Sequence, residues 1–104
     1  MPIKVLRSES LQTGDRQSVS VAGQKILLIR SENGLYAIED SCPHIELPLS
    51  DGSVSGKSIT CRNHGVEVDI ESGQVIYSMG FIDLQPVKTF SVWEENGDIL
   101  IDIE

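Results

Sequence analysis

The chain of 104 residues carries 8 Lys or Arg against 16 Asp or Glu, which gives a formal net charge of −8. This length suits one domain covering residues 1–104, and the negative charge disfavours nucleic acid, whose phosphate backbone it would repel. The first residues hold no apolar run of signal-peptide length, and no stretch is apolar enough to span a bilayer. We therefore expect a cytoplasmic protein that binds neither nucleic acid nor membrane.

Both ends of the chain are typical of β-strands. Val and Ile together number 21 whereas Ala numbers 2, and branching at Cβ favours strands over helices. Apolar and polar residues alternate in Ser18–Val21 and in Ile99–Ile103, as in strands with one buried face. Three turn signals predict hairpins, at Gly23-Gln24, Asn33-Gly34 and Asn96-Gly97. Trp93, on a terminal strand, is expected in the core.

The segment from about residue 41 to residue 80 differs from the two ends. It contains five of the nine glycines, with only short strand-like pieces between them, such as Ser58–Thr60 and Val66–Ile70. Frequent glycines are typical of loops, and loops commonly carry functional sites. The sequence therefore predicts an all-β fold, a small antiparallel β-sandwich or barrel-like scaffold with a loop-rich segment of about residues 41–80 inserted.

All the cysteines and histidines of the chain fall in two short windows of this segment. The first window is Cys42-Pro43-His44 and the second is Cys61-Arg62-Asn63-His64, with 16 residues between His44 and Cys61. Each window offers one thiolate and one imidazole, so two loops meeting at their tips would present two sulfur and two nitrogen ligands together. This pairing predicts a metal centre.

Other uses of these residues explain less of the pattern. A disulfide between Cys42 and Cys61 would leave both histidines without a role and is unusual in the cytoplasm. A Cys-His hydrolase would need a third catalytic partner, for which the sequence gives no signal. Zinc remains a rival, but zinc fingers group Cys with Cys and His with His, whereas here each window holds one of each. This order favours a centre of two irons.

The motifs extend beyond the four ligands. The stretch 42–52, then Gly56, Ile59, Cys61-Arg62-Asn63-His64-Gly65, and Asp69 with Ser72-Gly73, resembles the soluble Rieske-type ferredoxins. The resemblance implies a Rieske fold with a cluster-binding subdomain of about residues 41–80. It also implies one [2Fe-2S] cluster per chain, with Cys42 and Cys61 on one iron and His44 and His64 on the other, solvent-facing iron.

The resemblance further implies a function in electron transport and no catalytic activity of its own. Soluble proteins of this family carry single electrons from a flavin-containing reductase to the terminal oxygenase of ring-hydroxylating dioxygenase systems, so we expect a monomer that contacts both partners transiently. A Rieske-like small subunit of an assimilatory nitrite reductase is the alternative within the fold. A zinc-stabilised interaction module is the alternative from another class.

Two valines bear on the reduction potential. Respiratory Rieske proteins place a Ser and a Tyr hydroxyl against the cluster, and the corresponding positions here resemble Val66 and Val68. Hydrogen bonds to the cluster sulfurs stabilise the reduced, more negative form of the cluster. With fewer of these bonds, the reduced form is less stable. We therefore expect a potential at the low end of the Rieske range, which spans roughly −150 to +300 mV.

Overall fold

The computed structural model describes residues 2–41, 48–62, 65–78, 80 and 84–103. Ten strands are present in this part of the chain, with one short 3₁₀ helix, Ser8–Ser10, after the first strand. Six strands form the larger sheet: β1 (Pro2–Arg7), β2 (Arg16–Val21), β3 (Gln24–Ser31), β4 (Gly34–Glu39), β9 (Thr89–Glu95) and β10 (Asp98–Asp102). Four form the smaller sheet: β5 (Ser53–Ser55), β6 (Ser58–Thr60), β7 (Glu67–Asp69) and β8 (Val75–Tyr77).

Every strand pair in both sheets is antiparallel, which confirms the predicted all-β fold. The larger sheet has the order β1-β10-β9-β4-β3-β2, and the smaller has the order β5-β6-β7-β8. The chain therefore enters the smaller sheet after β4 and returns to the larger sheet at β9. The smaller sheet is built entirely from residues 53–77, within the segment that the glycines mark as loop-rich.

The three predicted hairpins are confirmed, two of them with turns placed one residue earlier than expected. The β2–β3 turn lies at Ala22 and Gly23, whose φ angles of 51° and 79° suit a tight hairpin, and the β3–β4 turn lies at Glu32 and Asn33. The β9–β10 turn lies at Asn96 and Gly97, as predicted. The shift at the first turn arises because Ala22 adopts the left-handed conformation, which its residue type does not signal.

The larger sheet curls around a set of buried side chains that we call the inner core. Val21 on the edge strand β2 packs in the same cluster as Ile99 and Ile101 on β10, which lies toward the opposite edge. Strands from both edges reach one core only if the sheet bends toward a barrel. The inner core consists of Leu11, Val21, Ile26, Leu28, Ala37, Phe90, Ile99 and Ile101.

A second set, the shared core, joins the two sheets. Strand β3 is buried on both faces, because Ile26 and Leu28 point into the inner core while Leu27 and Ile29 point toward the smaller sheet. Burying one such side chain contributes about 1.5–3 kcal/mol. The shared core consists of Leu27, Ile29, Ile38, Leu49, Ile59, Cys61, Val66, Val68, Ile70 and Val87.

Trp93 does not lie in either core, so its predicted position was wrong. Phe90 and Val92 of β9 point toward the inner core, and the alternation along a strand turns Trp93 to the opposite face. Trp93 is half-buried there, and its Nε1–H donates to Glu95 Oε1 at 3.3 Å.

One ion pair ties β3 to β9 across the intervening strand β4. Arg30 Nη1 and Nη2 donate to Glu94 Oε1 and Oε2 at 2.9 and 3.0 Å, and Arg30 Nε donates to the Leu11 carbonyl oxygen at 2.6 Å. The guanidinium lowers the pKa of Glu94 from its ordinary 4.5 to about 2.

In the described residues, no helix has the length and apolar character needed to cross a bilayer.

Candidate metal centre

Of the four predicted ligands, Cys61 lies in the described part of the chain. Cys42, His44 and His64 lie outside the described residues. The segments that flank both windows are described, however: residues 40, 41 and 48–52 around the first, and residues 58–62 and 65–69 around the second. The positions of these flanking segments show where the chain enters and leaves each window. They also show whether the flanks of the two windows lie close together.

The second window sits at the tip of the β6–β7 hairpin. The Cys61 N–H donates to the Val66 carbonyl oxygen at 2.7 Å, and the Gly65 N–H donates to the Cys61 carbonyl oxygen at 3.0 Å. Gly65 has a φ of 72°, a conformation that glycine adopts without strain. These backbone bonds close the window into a short loop whose two ends are adjacent strands.

Cys61 stands at the base of this loop with its side chain in the shared core. It is 2% exposed and carries a free thiol, surrounded by Ile59, Val66 and Val68. A thiolate is the soft ligand that iron–sulfur clusters use, and the surrounding apolar side chains keep water away from it. Val66 and Val68 are both fully buried here, and a valine side chain has no hydroxyl to donate.

Asp40, which is 6% exposed, links the chain before the first window to the chain after it. Its Oδ1 accepts the N–H of Ser50 at 2.9 Å, and its Oδ2 accepts the hydroxyl of Ser18 at 2.7 Å. Residues 41 and 48, which bracket the window, also line a cleft of about 410 Å³ beside the β2–β3 turn. The window thus begins and ends at points fixed to the larger sheet.

The flanks of the two windows contact each other. Leu49, which follows the first window, is buried in the shared core together with Cys61. At Gly52 an added Cβ would lie 2.3 Å from the carbonyl oxygen of Thr60, the residue before Cys61. Only glycine allows so close an approach, so the segment that follows the first window lies against the strand that leads to the second. Two thiolates and two imidazoles carried on these loops fit a Rieske-type cluster.

An exposed ion pair lies at the end of the smaller sheet opposite Cys61. Lys57 Nζ lies 3.0 Å from Glu71 Oε2, and this contact raises the pKa of the lysine. The Ile70 N–H donates to the Lys57 carbonyl oxygen at 2.8 Å, which closes that end of the sheet. The Cys61 end is therefore shaped by apolar packing and backbone bonds, and the Lys57 end by an exposed ion pair.

Sequence reasoning missed Asp40 as part of the site, and it included Ser50 and Gly52 in the 42–52 stretch without assigning either a structural role. Asp40 is an acidic residue directly after the last residue of β4, two positions before the first cysteine, and that placement was a usable signal. Gly52 was counted among the loop glycines, but its contact with Thr60 depends on a pairing that local sequence does not reveal.

Comparison with known proteins identifies the family. The model of the Rieske [2Fe-2S] domain family matches residues 1–91. The ferredoxin component of the naphthalene 1,2-dioxygenase system of Pseudomonas putida is 29% identical over 101 residues, which cover 97% of this chain and 94% of that protein.

Solved structures agree with this match. The ferredoxin of carbazole 1,9a-dioxygenase from Nocardioides aromaticivorans IC177 has the same fold, with a TM-score of 0.89 at 24% identity, covering 100% of this chain and 99% of the other. A chain in a complex of reduced oxygenase and oxidized ferredoxin of carbazole 1,9a-dioxygenase gives a TM-score of 0.85 at 27% identity, covering 96% and 91%. This protein belongs to the Rieske [2Fe-2S] domain family, whose cofactor is a Rieske-type [2Fe-2S] cluster.

Proposed function

We propose that this protein is a one-electron carrier that passes electrons from a flavin-containing reductase to the terminal oxygenase of a ring-hydroxylating dioxygenase system. The observation that carries the proposal is the match to a dioxygenase ferredoxin component along 97% of this chain and 94% of that relative. That relative is the ferredoxin component of its dioxygenase system, which supports an electron-carrying role for this chain.

In this proposal Cys42 and Cys61 bind one iron, and His44 and His64 bind the other. The contact between Gly52 and Thr60 and the burial of Leu49 beside Cys61 support it, because they join the flanks of the two windows. When bound, the cluster supplies a one-electron redox centre. The shared core keeps water from the Cys61 sulfur, and neutral imidazole ligands leave the site less negative than four thiolates would.

Charge supports the transient contact that a carrier needs. The formal net charge of −8 can steer the protein toward a basic surface on a partner, and such steering weakens as salt screens the charges. In the carbazole 1,9a-dioxygenase system an oxygenase and a ferredoxin form a complex. We propose the corresponding complex for this chain, together with a reductase contact, a monomeric state and a cytoplasmic location.

We also propose that residues 1–104 form one domain, with a cluster-binding subdomain at about residues 41–80. The position of the smaller sheet at residues 53–77 and the two windows beside it support these boundaries. A nitrite reductase small subunit gains no support from the naphthalene 1,2-dioxygenase and carbazole 1,9a-dioxygenase ferredoxins described above. A zinc module is disfavoured by the family match over residues 1–91.

The test is the cofactor of the purified protein and of one ligand variant. We expect a red-brown protein with iron and acid-labile sulfide, and an EPR signal of a [2Fe-2S] cluster after reduction with dithionite. Cys61→Ala should remove the iron and the visible absorbance completely, since no sulfur remains at that position. A colourless protein containing one zinc ion, without an EPR signal, would overturn the proposal.

Ile70→Val serves as the matched control for Cys61→Ala. Ile70 is 1% exposed and belongs to the same shared core, but it carries no ligand atom. Removing one methylene there costs roughly 0.5–1.5 kcal/mol, so the variant should be slightly less stable yet keep its iron. Electron transfer is then assayed with a reductase and an oxygenase, and failure to reduce any oxygenase despite an intact cluster would contradict the carrier role.

A further inference from the structure

Asp40 is a buried carboxylate that packing alone does not explain. It follows the last residue of β4, has 6% of its surface exposed, and uses both carboxylate oxygens as acceptors. A charged group is buried only when hydrogen bonds replace the water it loses. The Ser18 hydroxyl and the Ser50 N–H supply these bonds.

The bonds of Asp40 join the two ends of one loop. The first cluster window lies between Asp40 and Ser50, which are ten positions apart, and the carboxylate closes this span through the Ser50 N–H. The Asp40 N–H donates to the Lys25 carbonyl oxygen at 3.0 Å, which fixes the start of the span to β3. Closing a loop removes conformational freedom from all the residues inside it.

The far end of the span is fixed a second time. Arg16 Nε donates to the Ser50 carbonyl oxygen at 2.7 Å, so both backbone groups of Ser50 are bound, one by Asp40 and one by Arg16. Arg16 and Ser18 both lie on β2, the edge strand of the larger sheet. Both ends of the 40–50 span are therefore bound to β2, and the carboxylate of Asp40 also joins the two ends to each other.

We propose that Asp40 is a positioning residue, whose carboxylate, oriented by Ser18, closes the 40–50 span and thereby holds the first window in place against the second. The inference rests on the proposed function, because it matters only if Cys42 and His44 in that window bind the cluster. Groups that orient metal ligands through hydrogen bonds commonly change metal affinity or activity 10–100-fold when removed. Asp40 would act in this way without touching the metal.

Two substitutions separate the hydrogen bonds from the charge. Asp40→Ala removes both bonds. Asp40→Asn removes the charge but can keep the geometry, because an amide oxygen can accept the Ser50 N–H while its NH₂ group donates to the Ser18 hydroxyl oxygen. Glu32→Gln, in the exposed β3–β4 turn, removes one negative charge away from the span and serves as the charge control.

The measurement is the rate at which the visible absorbance of the holoprotein disappears in the presence of an iron chelator, together with the EPR g-values of the reduced cluster. We expect Asp40→Ala to accelerate the loss about tenfold and to shift the g-values, and Asp40→Asn to stay within about twofold of the wild type. Glu32→Gln should match the wild type. The EPR shift and its rescue by Asp40→Asn would not follow from a general loss of stability.

Ser18 gives a second route if Asp40→Ala does not fold. Ser18→Ala removes only the bond to Oδ2 and should accelerate cluster loss measurably, whereas Ser18→Thr keeps the hydroxyl and should restore the wild-type rate. The inference is overturned if Asp40→Ala or Ser18→Ala loses the cluster at the wild-type rate, or if Asp40→Asn is as damaging as Asp40→Ala. A wild-type protein that holds no iron would instead overturn the proposed function.

Discussion

The two sheets of this protein are stabilised in different ways. The larger sheet has strands of five to eight residues that enclose the inner core with apolar side chains. The smaller sheet has strands of three residues, too short to enclose a core of their own, and it packs against β3 and β4 instead. The larger sheet thus provides the scaffold, and the smaller sheet shapes the metal centre.

Backbone contacts decide the shape of the smaller sheet. Gly52 lies against Thr60, and at Gly73, where φ is 79°, an added Cβ would lie 2.2 Å from the Val87 carbonyl oxygen. The Val87 N–H in turn donates to the Gly73 carbonyl oxygen at 2.9 Å. Because main-chain contacts, in addition to side-chain packing, fix this region, we expect the two sheets to respond to different substitutions.

The largest effect should come from the inner core. Leu28 is fully buried, and Leu28→Ala should lower the free energy of unfolding by about 2–5 kcal/mol, measured by denaturant titration followed by circular dichroism. Leu35 packs on the same core but is only half-buried, so Leu35→Ala should cost clearly less. Equal losses for the two variants would contradict the assignment of the inner core as the main source of stability.

A change confined to the metal centre should follow from Gly52→Ala. Its Cβ would meet the Thr60 carbonyl oxygen, so the segment that follows the first window must move away from the strand that leads to Cys61. We expect the iron content to fall while the circular dichroism of the larger sheet persists. Gly56→Ala is the control, since φ is +60° but no atom lies within 4 Å, and left-handed strain alone costs about 1–2 kcal/mol. Equal iron losses in both variants would show that the contact with Thr60 is not responsible.

The smallest effect concerns the Arg30–Glu94 pair of the larger sheet. The pKa of Glu94 is depressed in the folded protein, so the stability from its ionisation is present above pH 4.5 and is lost as the pH falls toward 2. The carboxylate side chain is 40% exposed, and solvent screening limits the contribution to about 1 kcal/mol. Glu94→Gln should therefore be less stable than the wild type at pH 6, with the difference shrinking toward pH 3 in thermal unfolding. A difference independent of pH would contradict this assignment.

Local sequence was sufficient for the hairpins of the larger sheet and for the hypothesis of a metal centre in residues 41–80. The hairpins follow from turn residues and period-two alternation, which act over a few neighbouring residues, and the two Cys-His windows are visible as spacings. The burial of Asp40 and the contact of Gly52 depend on residues paired across eight or more positions, so they required the structure. Trp93 was misplaced because aromatic character indicates burial but not which face of a strand is buried.

The double burial of β3 has a consequence for engineering. The shared core draws Leu49, Ile59 and Val68 from the loop-rich segment, but Leu27, Ile29 and Ile38 from outside it. If residues 41–80 were excised, or grafted onto another host, half of this interface would be exposed to water. The smallest transplantable electron-transfer unit must therefore include β3 and β4.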